Sequence, residues 1–127
     1  MKINTDLHNH LGTNEYNGDF NKVINISSRQ LGHLGILGIC NGEDNRYESF
    51  VNLKGYGRED FKSFIYLSSK NIFVIKGQEV FTKQGHILVL GLEKDKHIKS
   101  KDLWDALKEA KEINEDTIIF PVHTFFF

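Results

Sequence analysis

The chain has 127 residues, of which 39% are hydrophobic and 26% charged, and its formal net charge is −1. That length suits one domain, and the composition excludes a disordered chain and a basic nucleic-acid binder. A single cysteine, Cys40, excludes an intrachain disulfide and a multi-thiolate zinc centre, and no run approaches the ~20 apolar residues of a membrane span.

The N-terminus, "MKINTDLHNH", carries no apolar leader, so a reducing cytoplasmic setting is expected. Residues 2 to 8 read as a strand that runs into "HNHLG". Period two then places Asp6, His8 and His10 on one face and Leu7, Asn9 and Leu11 on the other. A loop, "GTNEYNGD", follows. Asp19 is placed to cap a helix from Phe20 to Leu31, whose apolar face is Phe20, Val23, Ile24, Ser27 and Leu31. "ILGIC" reads as a short buried strand of the parallel type. The polar segment "NGEDNRYESFVNLKGYGRED", residues 41 to 60, is too irregular to assign, and Glu59 to Leu67 reads as a helix with Phe61, Phe64 and Ile65 on one side.

"NIFVIKGQEVF" and "HILVLGL" read as strands joined by the turn "TKQG". A hairpin with Lys83 and Gln84 at its tip pairs Phe81 with His86 and Glu79 with Leu88. Glu79 and His86 then project from the same face. From Ser100 the spacing is helical, with Leu103, Ala106, Leu107, Ala110 and Ile113 in one stripe. "TIIFPVH" closes as a buried strand. The order β-α-β-α-β-β-α-β is an α/β pattern in a single domain, residues 1–127. Three exposed phenylalanines in the terminal "TFFF" would be unfavourable. The expectation is that they pack or that the natural chain continues past Phe127.

The histidines fall where strands begin or end. His8 and His10 lie at the end of the first strand, Glu79 near the end of the third and His123 at the end of the last. His86 opens the strand next to Glu79. Chemistry in parallel α/β folds collects at the carboxyl ends of strands. Imidazoles with a carboxylate suit zinc, manganese or iron, and a carboxylate can bridge two ions. Taken singly each residue has a plainer explanation: a buried histidine is usually a hydrogen-bonded core residue, and Glu79 could be a surface acid. His33 and His97 receive no role. Their combination points to a metal centre, at which Asp6 could orient one of the two nearby imidazoles.

Three stretches resemble motifs of the PHP (polymerase and histidinol phosphatase) domain family. "DLHNHLG" resembles its Asp-x-His-x-His motif. "IKGQEVFTKQGHILVLGL" resembles its Gly-x-Glu followed by Gly-His, and "IFPVHTF" resembles its Pro-Ala-His-Pro motif. The resemblance implies a distorted seven-stranded barrel, here a partial or truncated (β/α)7 barrel, incomplete at the C-terminus or completed by an oligomer. It implies two divalent ions, zinc, manganese or iron. His8, His10 and Glu79 would hold one ion, and Glu79, His86 and His123 the other, with Glu79 bridging. The implied activity is hydrolysis of a phosphate ester by activated water; a small-molecule ester is expected, because the charge balance and the lack of an apolar span speak against nucleic-acid and membrane partners.

The departures are equally definite. The family's second motif, Thr-Asp-His, is replaced by Cys40, Asn41 and Gly42. Asn17 and Glu15 stand nearest to a further ligand after the first motif, and Glu43 or Asp44 could substitute from the second-motif loop. Arg46 is the cation best placed by sequence to hold a phosphate. An incomplete ligand set also fits a module that keeps its metal without catalysis.

Overall fold

The computed structural model describes residues 2–11, 20–52 and 54–122. The chain forms β1 (Asn4–Asn9), α1 (Phe20–Leu31), β2 (Gly35–Ile39), α2 (Arg46–Phe50), β3 (Arg58–Asp60) and β4 (Phe64–Leu67). It continues with β5 (Ile72–Thr82), β6 (Gly85–Leu90), α3 (Leu103–Ile113) and β7 (Ile118–Pro121). Asp19, the expected cap of α1, lies outside the described residues. α1 buries Ile24 and Leu31, with Phe20 and Val23 packed against the same core. It stops at Gly32, whose φ of +79° is left-handed and whose N–H returns to Ser28 O at 3.1 Å.

β1, β2 and the first half of β5 are parallel neighbours, and α1 supplies the crossover between β1 and β2. Every other pairing is antiparallel: β3 with β4, β4 with β5, β5 with β6 and β6 with β7. The sheet runs β1-β2-β5-β4-β3, and β6 and β7 branch from the far half of β5. β5 changes partner at Gly77, because Ile72–Lys76 pair with β2 and Gly77–Thr82 pair with β6. Only glycine fits there: an ideal Cβ would lie 2.6 Å from Cys40 Sγ and 2.7 Å from Val89 O.

This architecture corrects the expected partial or truncated (β/α)7 barrel. Such a barrel needs parallel strands, each followed by a helix. Here β3 to β6 are joined by short turns, which produce antiparallel neighbours, and among the described residues the seven-stranded sheet with its three helices is not closed. The helix expected over residues 59 to 67 is also absent. β3 and β4 occupy it, with Ile65 and Leu67 turned into the core and Phe64 and Tyr66 half-buried on the other face. Phe61, Phe64 and Ile65 sit at i, i+3 and i+4, a spacing that also fits a helix, but pairing with β5 fixes the extended form. β7 is a strand, yet it is not buried, since Ile118 and Phe120 are 58% and 39% exposed.

The hairpin follows the expected register, with Glu79 opposite Leu88 and Phe81 opposite His86. α3 buries Leu103, Ala106 and Ala110, and Asp102 caps it by accepting the Asp105 N–H at 3.2 Å. Two cores result. α1 and α2 cover one face of β1, β2, β4 and β5 through Leu37, Ile39, Phe50, Ile65, Leu67 and Val74. α3 covers β5 and β6 through Val80, Ile87 and Val89. β6 is buried on both faces, because Leu88 and Leu90 turn the other way and pack on Cys40. No helix among the described residues is long and apolar enough to cross a membrane.

Candidate metal centre

Where β1 ends, its register with β2 slips. Asp6 pairs with Leu37 and Asn9 with Ile39, so three steps on β1 match two on β2. This is a β-bulge with one extra residue. Leu37 and Ile39 both face the helix-covered core, so the register assigns Asp6 and Asn9 to that face. His8 and His10 flank Asn9 and take the opposite face. The bulge therefore breaks the period-two alignment of Asp6 with the two histidines. Asp6 is exposed, and among the described residues its carboxylate makes no hydrogen bond or ion pair with either imidazole.

The bulge is held by specific contacts. Asn9 Nδ2 donates to Asp6 O at 2.9 Å and to Gly38 O at 3.2 Å. Cys40 N donates to Asn9 O at 2.7 Å, and its thiol donates to Leu7 O at 3.0 Å. Asn41 Oδ1 accepts the Leu11 N–H at 2.9 Å. On the other side, the Glu79 N–H lies 3.3 Å from both Cys40 O and Asn41 O. The end of β2 thus touches both ligand-bearing strands.

The result is a compact cluster. His8 Nε2 lies 3.1 Å from His10 Nε2 and 3.3 Å from Glu79 Oε1, and His10 Nε2 lies 3.6 Å from Glu79 Oε2. The Glu79 side chain is 7% exposed, against 38% and 42% for His8 and His10, so the carboxylate forms the floor and the imidazoles the open rim. Two ligand nitrogens about 2.0–2.1 Å from one tetrahedral zinc ion stand roughly 3.3–3.4 Å apart. The donor spacing matches that demand. Two imidazoles and one carboxylate are also the set that leaves coordination positions open for water and substrate.

Among the described residues, His8, His10 and Glu79 are the group whose donor atoms lie within 4.8 Å of one another. His86 occupies the same face of the hairpin, two pairing steps from Glu79, with its ring edge-on to Phe81 at 4.4 Å, but it stands outside that group. His123, Asn17 and Glu15 lie outside the described residues. Asp44 accepts the Arg46 N–H at 3.0 Å at the start of α2, and Arg46 Nε lies 3.8 Å from Asp44 Oδ2. Neither Asp44 nor Glu43 joins the cluster. Cys40 is fully buried, and burial pushes its thiol up to about 12, with the Glu79 charge adding to the effect. It is a protonated, packed side chain rather than a ligand.

Sequence reasoning missed the asparagines and a second buried cluster. Lys76, 2% exposed, donates from Nζ to Glu48 Oε2 at 2.8 Å and to Lys96 O at 2.7 Å. Glu48 Oε2 also accepts the Asp95 N–H at 3.1 Å. Burial holds the Lys76 ammonium below the ordinary lysine range, against the pull of Glu48. His97, which received no role, donates from Nε2 to Asp44 O at 2.6 Å. The available signals were Gly38 inside an apolar strand, which marks a close backbone approach, and a lysine in the apolar run "IFVIK". The chain matches no family model, no curated protein and no solved structure.

Proposed function

We propose that this chain is a metal-dependent phosphoesterase acting on a small-molecule phosphate ester. The observation that carries the reading is the convergence of His8 Nε2, His10 Nε2 and the Glu79 carboxylate at ligand-like separations, with two half-exposed donors over a buried one. The resemblance of three motifs to PHP domains supports the phosphate chemistry. Zinc, manganese or iron held there would supply a Lewis acid for phosphate oxygens and would acidify water.

The protein's own part is to hold the donors and to shape their surroundings. Glu79 offers one oxygen toward each imidazole, so the three side chains would hold one ion together; that Glu79 would also reach a second ion held by His86 and His123 rests on the resemblance alone. Its burial keeps the carboxylate fixed by the sheet, while the exposed edges of His8 and His10 leave room for a ligand. Arg46, at the head of α2, is the proposed phosphate-orienting cation. The replacement of the second motif by Cys40 and Asn41 favours a second reading, a metal-binding module without turnover, because both residues are engaged in holding backbone.

Elemental mass spectrometry of the purified protein, followed by assay with p-nitrophenyl phosphate and bis-p-nitrophenyl phosphate in zinc or manganese, tests the proposal. Bound metal and hydrolysis, with the activity and mainly one equivalent of metal lost in His8→Ala, are the expected results. Bound metal without hydrolysis would establish the non-catalytic module. No metal after reconstitution would overturn both readings.

A further inference from the structure

Two asparagines hold the backbones that carry the ligands, and each uses a different half of its amide. Asn9 acts as a donor. Its Nδ2 reaches Asp6 O at 2.9 Å and Gly38 O at 3.2 Å, so both amide hydrogens are engaged on the two sides of the bulge. Asn41 acts as an acceptor. Its Oδ1 takes the N–H of Leu11, the residue after His10, at 2.9 Å, and the side chain is only 5% exposed. The Asn41 carbonyl, with that of Cys40, faces the Glu79 N–H at 3.3 Å. Asn41 therefore spans the two strands whose side chains meet in the cluster, and Asn9 sits between the two histidines it would orient.

We propose that Asn9 and Asn41 are positioning residues that set the separation of the His8, His10 and Glu79 donor atoms. The proposal rests on reading that cluster as a metal centre. Its physical basis is general: groups behind metal ligands fix their orientation, and loss of such a group weakens the metal about 10–100-fold. At the place where the resembled motif has an acid, this chain uses the amide to tie backbone.

The two roles make opposite demands on aspartate. Asn41→Asp keeps an acceptor for the Leu11 N–H. Asn9→Asp removes both donors and brings a charged oxygen up to two carbonyls. A residue needed only for stability would show no such contrast in metal affinity once each variant is compared below its own unfolding temperature.

The experiment is a cobalt(II) titration followed by visible absorption, on the wild type, Asn9→Asp, Asn41→Asp and Asn41→Ala. Beside it runs the nuclear Overhauser effect between the His8 and His10 ring protons in the metal-free proteins, whose ring centroids are 5.1 Å apart in the wild type. Asn41→Asp should bind cobalt nearly as the wild type does. Asn9→Asp and Asn41→Ala should bind about 10–100-fold more weakly with altered absorption bands, and Asn9→Asp should lose the ring-to-ring signal. Wild-type affinity in Asn9→Asp and Asn41→Ala would overturn the proposal, as would an equal loss in Asn41→Asp and Asn41→Ala. If Asn9→Asp does not fold, the Asn41 pair decides. If the wild type binds no cobalt, the metal reading falls, and a ring-to-ring signal retained in Asn9→Asp overturns the positioning role separately.

Discussion

The Leu7 carbonyl oxygen occupies the space that a side chain on residue 38 would need: an ideal Cβ built on Gly38 lies 2.4 Å from it. The extra residue of the β1 bulge pushes that carbonyl across β2, where it also meets the Cys40 thiol. Since the neighbour is backbone, it cannot swing away. Gly38→Ala should therefore destabilise the protein by about 1–3 kcal/mol through overpacking, seen as a lower urea midpoint. It should also displace His8, which a changed imidazole resonance pattern would report. An unchanged midpoint would mean that the bulge can shift at no cost.

Glu79 faces both imidazoles, whereas His8 and His10 each face one of its oxygens. If Glu79 bridges two ions, Glu79→Gln should lower both equivalents of bound metal together, and His8→Ala should lower mainly one. Elemental mass spectrometry after dialysis reads this directly. Loss of the same single equivalent in both variants would argue against a bridge and leave a mononuclear centre.

What the sequence showed and what it hid have physical reasons. The β5–β6 hairpin was legible down to its pairs, because a two-residue turn between period-two runs leaves one register. α3 was legible from its stripe. The His-x-His pair and a glutamate in an apolar strand identified the cluster. The bulge was hidden, because inserting one residue leaves the alternation of "DLHNHLG" intact while turning Asp6 away from His8. β3 and β4 were hidden because Phe61, Phe64 and Ile65 satisfy a helical template equally well. The motif resemblance suggested closure into a barrel, but topology is set by which strands pair, and the short turns from β3 onward impose antiparallel neighbours.

Lys76 and Glu48 form a pair in which both side chains are at least nine-tenths buried, and Glu48 Oε1 has no hydrogen-bond partner among the described residues. His97 Nε2 is 3.7 Å from that oxygen. Removing one partner strands the other charge, so Lys76→Met should cost about 3–5 kcal/mol. The double variant Lys76→Met with Glu48→Leu should recover much of that loss, since no buried charge remains. Urea denaturation of the two single variants and the double variant forms the test. A double variant as unstable as the sum of the singles would show no coupling between the two side chains, so that neither loss comes from stranding the partner's charge.

Cys40 links the fold to alkaline pH. Its folded-state thiol is raised to about 12, mainly by burial, from an ordinary value of 9.0. Above pH of about 9 the unfolded chain gives up the thiol proton while the folded chain keeps it, so the unfolded state binds fewer protons and stability falls as pH rises. The full contribution is present below about 9 and is lost progressively toward about 12, at up to ~1.4 kcal/mol per pH unit. Cys40→Ala lacks this slope. It should start less stable at pH 7, because a buried group packed on Leu88 and Leu90 has been cut back. The gap to wild type should then narrow from pH 9 to pH 11 in paired urea titrations. A gap that stays constant over that range would mean that Cys40 ionises as readily in the folded protein as in the unfolded chain.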